Sequence, residues 1–201
     1  MKGHLTWCLT LAVQVAFLGL AYAQGAGEGS DKGAICGEFL SDEKVRLAKS
    51  ETMEASSSGK DAFKLGLEHQ LGTNGRAKDL KLAKAEYQRS AKAGYQDGMF
   101  AYAALVLRMA SSDTDAAEAY VWFKKLADVK HPGGLGMMAL AFKSGAPGIN
   151  RNLRNYEKYI EQAAWLGEVS AQVEYLALLN KKTLRTTAED RKRQCLEFML
   201  R

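Results

Sequence analysis

The side chains that most often carry catalysis or metal binding are few and far apart in this sequence. Of three histidines in 201 residues, the two beyond the N-terminal apolar stretch are His69 and His131. Neither has a second histidine or a cysteine at the spacing of a zinc site, and the Gly-x-Ser-x-Gly and His-Glu-x-x-His motifs do not occur. The carboxylates are scattered singly, so no pair suits general acid–base chemistry. The sequence therefore predicts neither an enzyme nor a metal or cofactor site.

Two cysteines, Cys36 and Cys195, follow the N-terminal apolar stretch. In an oxidising compartment they could form a disulfide worth about 4–5 kcal/mol through its effect on the unfolded chain. Two separate buried thiols are the alternative, because the ends of an elongated fold lie apart. A bridge needs the two Cα atoms within about 7 Å. The sequence leaves both possibilities open.

Residues 1–23 are organised like a secretory signal peptide. Lys2 and His4 precede an apolar run, and Ala21-Tyr22-Ala23 supplies small residues for cleavage after Ala23. A retained N-terminal anchor is the alternative. No second long apolar run follows, so we expect no stable membrane insertion of the exported chain. A net charge of +5 is too small to indicate nucleic-acid binding, but it suits an acidic protein partner.

The strongest pattern in the sequence is a block of residues that returns every 36 or 37 positions. The members of this block are Tyr87, Ala91 and Gly94, then Phe123, Ala127 and Lys130, then Ile160, Ala164 and Gly167. A fixed period of this length indicates stacked two-helix units and an all-α fold. Small residues at the recurrent alanine and glycine positions let neighbouring helices approach closely.

The period divides the chain into five predicted parts. A flexible arm at 24–40 follows the signal peptide, and a capping helix with its linker occupies 41–59. About three and a half repeats fill 60–180, and a C-terminal capping helix covers 181–201. End units of a stack are expected to depart from the repeat because their outer face meets water.

These repeats resemble the Sel1-like repeat family, a relative of the tetratricopeptide repeat. The first repeat matches the family unit at Ala62, Leu65, Gly66, Gly72, Gly75, Asp79, Ala85, Tyr87, Ala91 and Gly94. The second keeps Asp115, Ala119, Trp122, Phe123 and Ala127, and the third keeps Gly148, Tyr159, Ile160, Ala163, Ala164 and Gly167. The resemblance implies a right-handed superhelical solenoid that works as an adaptor or regulator without catalysis.

Similar exported bacterial proteins include immunity proteins for type VI secretion lipase effectors. The resemblance therefore implies a periplasmic protein that binds a cognate toxin and blocks it sterically. An envelope scaffold for a secretion or polysaccharide-export complex is the alternative. Both are analogies at the level of the fold.

In stacked helix pairs the first helix of each pair lines the concave side. The residues between the core positions predict a partner-binding groove made of Lys64, Leu67, Met99, Phe100, Ala103, Leu107, Arg108, Lys143 and Leu176. Phe100 and Leu107 form the largest apolar patch of this row, and such anchors are common interface hot spots. The alternative is that Phe100 packs against the neighbouring repeat.

Overall fold

The computed structural model describes Cys36, Gly37, Phe39, Leu40 and residues 57–201. Eight helices lie within 57–201: α1 Ser57–Leu71, α2 Leu80–Lys92, α3 Gln96–Met109, α4 Asp113–Asp128, α5 Pro132–Ser144, α6 Leu153–Trp165, α7 Val169–Lys181 and α8 Thr187–Met199. Each helix packs against the next one in sequence. The predicted all-α repeat fold is confirmed. The signal peptide, most of the arm and the capping helix predicted within 41–59 lie outside the described residues.

Side-chain caps fix where several of these helices begin. Asp79 accepts hydrogen bonds from the backbone N–H groups of Lys81 and Leu82 at the start of α2. Capping boxes open α4, with Ser112 and Asp115, and α8, with Thr186 and Glu189. Such caps satisfy backbone donors that the first turn of a helix leaves unpaired. The short connections between helices follow from these sharp starts.

The sequence period is the period of the core. Tyr87, Phe123 and Ile160 each keep 3% or less of their surface exposed, and Ala91, Ala127 and Ala164 are buried in the same way. One position of the family match needs correction. Ala85 is exposed and Ala83 is fully buried, because the inward face of α2 consists of Ala83, Tyr87, Ser90 and Ala91 at helical spacing.

A left-handed residue ends the second helix of each repeat. Gly94 and Gly167 have φ of 81° and 88°, and Lys130 takes the same place with φ of 60°. The Lys130 N–H donates to Ala127 O at 3.0 Å, and the His131 N–H donates to Leu126 O at 2.9 Å. These two bonds form a Schellman motif, which glycine suits better than any residue with a Cβ.

Replacing Lys130 by glycine should raise the free energy of unfolding by about 1 kcal/mol, because it relieves the steric strain of a left-handed lysine. Urea denaturation followed by circular dichroism measures the change. Lys158→Gly is the matched control, since Lys158 is an exposed lysine inside α6. Glycine there should lower the free energy by roughly 0.5–1 kcal/mol. A neutral or destabilising Lys130→Gly variant would contradict the explanation.

Two of the described residues before α1, Cys36 and Phe39, lie against the C-terminal helices α8 and α6. Cys36 and Cys195 form a disulfide with their Cα atoms 5.2 Å apart, and Cys195 belongs to α8. The Phe39 ring stacks on Trp165 at the end of α6, with a centroid distance of 5.1 Å. In an elongated stack, a disulfide with Cys195 is impossible if Cys36 lies near the first repeat, because the two ends of the stack are far apart. Cys36 does not lie there, so the two cysteines meet.

Candidate partner-binding surface

The predicted groove residues fall into three groups in the structure. Lys64 on α1, Arg108 on α3 and Lys143 on α5 are exposed. Leu67, Met99, Phe100 and Leu176 are half-buried, and Ala103 and Leu107 are buried. The groove as predicted therefore has accessible cations, but its apolar members are largely covered.

The placement of Ala103 and Leu107 on an open surface is wrong. Their side chains are 0% and 7% exposed, and both belong to the hydrophobic core. The reason is that α3 packs against α2 on one side and α4 on the other. An interior helix covered from two sides leaves few residues free, so positions between the obvious core residues are buried as well.

Phe100 packs against the following repeat, as the alternative interpretation held. Its ring centroid lies 5.6 Å from that of Phe123 and 5.7 Å from that of His131. A Cβ built on Gly133 would lie only 2.7 Å from a carbon of the Phe100 ring. Met99 and Leu176 also pack against the core. Substituting Phe100 would thus disturb folding as well as any partner contact.

The exposed Lys143 is held by an ion pair. It contacts the Glu174 carboxylate, which also accepts a hydrogen bond from the Tyr156 hydroxyl at 2.6 Å. Burial of Glu174 pushes its pKa upward, but the bonds from Lys143 and Tyr156 outweigh burial and hold the pKa below its ordinary value. Lys64 and Arg108 have no ion pair among the described residues and remain the open cations of the predicted groove.

Buried tyrosines connect the repeats through hydrogen bonds. The Tyr102 hydroxyl on α3 donates to Glu118 on α4 at 2.7 Å and accepts from the Gln88 side chain on α2 at 3.1 Å. Burial raises the pKa of Tyr102 to about 12, and the hydrogen bond to Glu118 adds to the shift. The hydroxyl therefore stays protonated and joins three consecutive helices.

The protein should lose stability as the pH rises above about 10, the ordinary pKa of tyrosine. Burial raises the folded-state pKa values of Tyr102, Tyr87 and Tyr175. The stability that these groups contribute is complete below the unfolded pKa and declines toward the folded pKa. Urea unfolding across this range, with tyrosinate absorbance, measures the effect. Tyr102→Phe should make the decline shallower, and a free energy that stays flat above pH 10 would contradict the prediction.

His131 has a structural role at the start of α5. It is the N-cap of α5, where its Nδ1 accepts a hydrogen bond from the Gly134 N–H at 3.2 Å. Its Nε2 lies 4.0 Å from an Asp97 oxygen, and this polar contact with His131 is the main cause that lowers the pKa of Asp97. Within the described ranges, no three His, Cys, Asp or Glu side chains are grouped as a metal site requires.

The outward side of α2 was not among the surfaces predicted from the sequence. The outer face of α2 consists of Lys81, Leu82, Ala85, Arg89 and Lys92, and Lys78 continues it just before the N-cap Asp79; all six residues are exposed. Leu82 keeps 48% of its surface exposed. Lys78, Lys81 and Lys92 form no ion pair with any described residue. The spacing of these lysines, which puts them on one side of a helix, predicts a basic surface and could have revealed it from the sequence.

A second missed feature is the covered tryptophan of α6. Trp165 occupies the repeat position of Lys92 and Asp128, which are exposed charged residues in the first two repeats. In the third repeat Phe39 lies on this position, so an aromatic side chain replaces a charged one. An aromatic residue at an otherwise charged repeat position could have indicated that another part of the chain covers it.

Among the described residues no helix is both long and apolar enough to cross a membrane.

Comparison with known proteins gives matches to solved structures alone. No protein-family model and no curated protein sequence matches the chain. The structure of c5321, described as a protective antigen of uropathogenic Escherichia coli strains displaying an SLR fold, superposes with a TM-score of 0.58 and 16% identity over 94% of this chain. A Sel1 repeat protein from Oxalobacter formigenes gives a TM-score of 0.60 and 18% identity over 81% of this chain.

The chain spans less than two thirds of either protein, 40% of the first and 66% of the second. At these identities the likeness concerns the fold. The eight helices, the 36–37-residue period and both superpositions agree on it. This chain adopts the Sel1-like repeat (SLR) fold, an all-α solenoid of stacked helix pairs.

Proposed function

We propose that this chain is an exported, non-catalytic protein-binding repeat protein of the bacterial periplasm. In the sharpest form of the proposal it is an immunity protein that binds a type VI secretion effector of the lipase class. Inhibition is steric: the repeat surface covers the catalytic cleft of the effector. The observation that carries the binding role is a stack of helix pairs with accessible cations on several helices and a filled interior.

The disulfide supports export. Cys36 and Cys195 are 1% and 0% exposed, so the bridge is an internal part of the fold. Structural disulfides of this kind persist in oxidising compartments and are rare in the bacterial cytosol. The signal-like residues 1–23 point the same way.

The charge of the accessible surface supports an acidic partner. Lys64 and Arg108 are exposed. The outer face of α2 adds further lysines that form no ion pair with a described residue, whereas its Arg89 pairs with Glu86. Complementary charge speeds the encounter of two proteins and selects the correct partner. The apolar residues that the sequence placed in the groove are buried or half-buried, so the cations contribute more of the recognition than predicted.

Co-expression in the periplasm tests the proposal. Cells that receive an exported lipase effector encoded beside this gene should survive only when the repeat protein is also exported. A Lys64→Glu/Arg108→Glu double variant should protect less well at an equal expression level. Lys158→Glu on α6 is the matched control, because Lys158 is exposed and has no ion pair among the described residues.

Equal survival with and without the repeat protein would end the immunity proposal. Stable co-purification with an export complex, in the absence of protection, would favour the envelope scaffold.

A further inference from the structure

The first helix of each repeat (α1, α3, α5 or α7) carries one row of residues that faces the first helix of the next repeat. The row contains Phe100, Gly136 and Val173, which are 36 and 37 positions apart. Phe100 on α3 contacts Gly133 on α5. A Cβ on Gly136 would have Glu168, at the start of α7, as its nearest neighbour at 3.9 Å. In the second and third repeats, this row is therefore covered by the repeat that follows.

The same row is open on α7. Val173 is 54% exposed and Val169 is 45% exposed, although both are apolar. Ala177 is exposed and Leu176 is half-buried beside them. We call these four residues the α7 stripe, and no other described helix covers its two valines. An apolar row at the end of a continuous packing interface is suited to another helix.

We propose that the α7 stripe pairs with the α7 stripe of a second copy of this chain, antiparallel about a two-fold axis near Tyr175. Such an interface is isologous, so each contact occurs twice. In this register Val173 of one copy lies opposite Ala177 of the other. A large side chain facing a small one allows two helices to pack closely.

The ends of α7 are also complementary in this register. Ser170 lies opposite Asn180 of the second copy. Its hydroxyl donates to Glu168 within the chain at 2.6 Å, which leaves its oxygen to accept a hydrogen bond from the Asn180 amide. Lys181, near one end, comes close to Glu168 at the start of the other helix, and antiparallel helix dipoles attract one another. The neighbouring Glu174 adds no free charge, because Lys143 and Tyr156 already engage its carboxylate.

Sedimentation of the mature protein tests the pairing. The wild-type chain should be a dimer at about 100 μM, a concentration that fills a two-fold interface of micromolar affinity. Val173→Glu should raise the dimer dissociation constant at least about tenfold, because it buries a charge at the centre of the interface. Val121→Glu is the matched control: Val121 is 55% exposed on α4, outside the stripe, and its replacement should leave the dimer unchanged.

A cross-link tests the register even if Val173→Glu should unfold the chain. The Ser170→Cys/Asn180→Cys variant should form a covalent dimer on mild oxidation. The two positions lie about 15 Å apart along one helix, too far for a bridge within one copy. A wild-type monomer at all concentrations would overturn the proposal, and so would equal effects of the two valine variants. Binding of another protein's helix to a monomeric stripe would overturn it as well.

Discussion

Replacing both Cys36 and Cys195 by serine should lower the free energy of unfolding by about 4–5 kcal/mol. The disulfide joins residues separated by 159 positions, so it removes a large amount of conformational freedom from the unfolded chain. A loss of this size is a large fraction of the stability of an ordinary domain. Urea unfolding of the mature protein, monitored by circular dichroism, measures it.

The reductant supplies the control for this prediction. Adding a dithiol reductant should destabilise the wild-type protein and leave the double-serine variant unchanged, so that the two proteins then unfold at similar urea concentrations. A double-serine variant within about 1 kcal/mol of the wild type would show that the bridge does not constrain the unfolded chain as described.

Two glycines on α5 should respond to alanine in opposite directions. A Cβ on Gly134 would lie 2.5 Å from the Leu126 Cβ and 2.9 Å from the Ala127 backbone nitrogen. The backbone of α4 cannot move aside easily, so Gly134→Ala should lower the free energy of unfolding by roughly 1–3 kcal/mol. Gly136 has no neighbour closer than 3.9 Å, and Gly136→Ala should raise the free energy by up to about 1 kcal/mol through helix propensity.

Because both changes add one methyl group to the same helix, their difference isolates the close approach of α5 to α4. Thermal unfolding of the two variants beside the wild type gives the comparison. If the Gly134→Ala and Gly136→Ala variants were equally stable, a glycine at position 134 would not be needed for the packing of α5 on α4.

Periodicity was sufficient to predict the fold. The residues that recur every 36 or 37 positions are the buried ones, since Phe123 and Ala127 occupy the same place in the core as Tyr87 and Ala91. Helix starts were also readable, because the capping box of Thr186 and Glu189 is a local pattern. Capping patterns and repeat periods depend on residues that are close in sequence or regularly spaced, so they can be read before the tertiary structure is known.

Exposure was harder to predict than the helices themselves. Ala103 and Leu107 are buried because α3 is covered on two sides, and sequence spacing alone does not show how much of a helix its neighbours cover. Lys64 and Arg108 remained accessible, since a charged side chain seldom becomes buried without a partner. Lys64 and Arg108 are thus exposed as expected, whereas Ala103 and Leu107 are not.

The meeting of Cys36 with Cys195 could not be derived from the repeat. A period describes how each unit contacts the next, and it contains no information about a segment that lies before the first unit. Trp165 at a position that is charged in the other repeats was the one local sign. Its partner Phe39 could not be identified without the structure.

The central prediction for this chain is that it binds a protein through its accessible basic surface. The direct measurement is a titration of the purified chain, without residues 1–23, with the exported effector that the proposed function assigns to it. Lys64→Glu/Arg108→Glu should weaken binding at least about tenfold with an unchanged helical spectrum, and Lys158→Glu should bind like the wild type. Equal affinity of all three proteins for the effector would contradict the account.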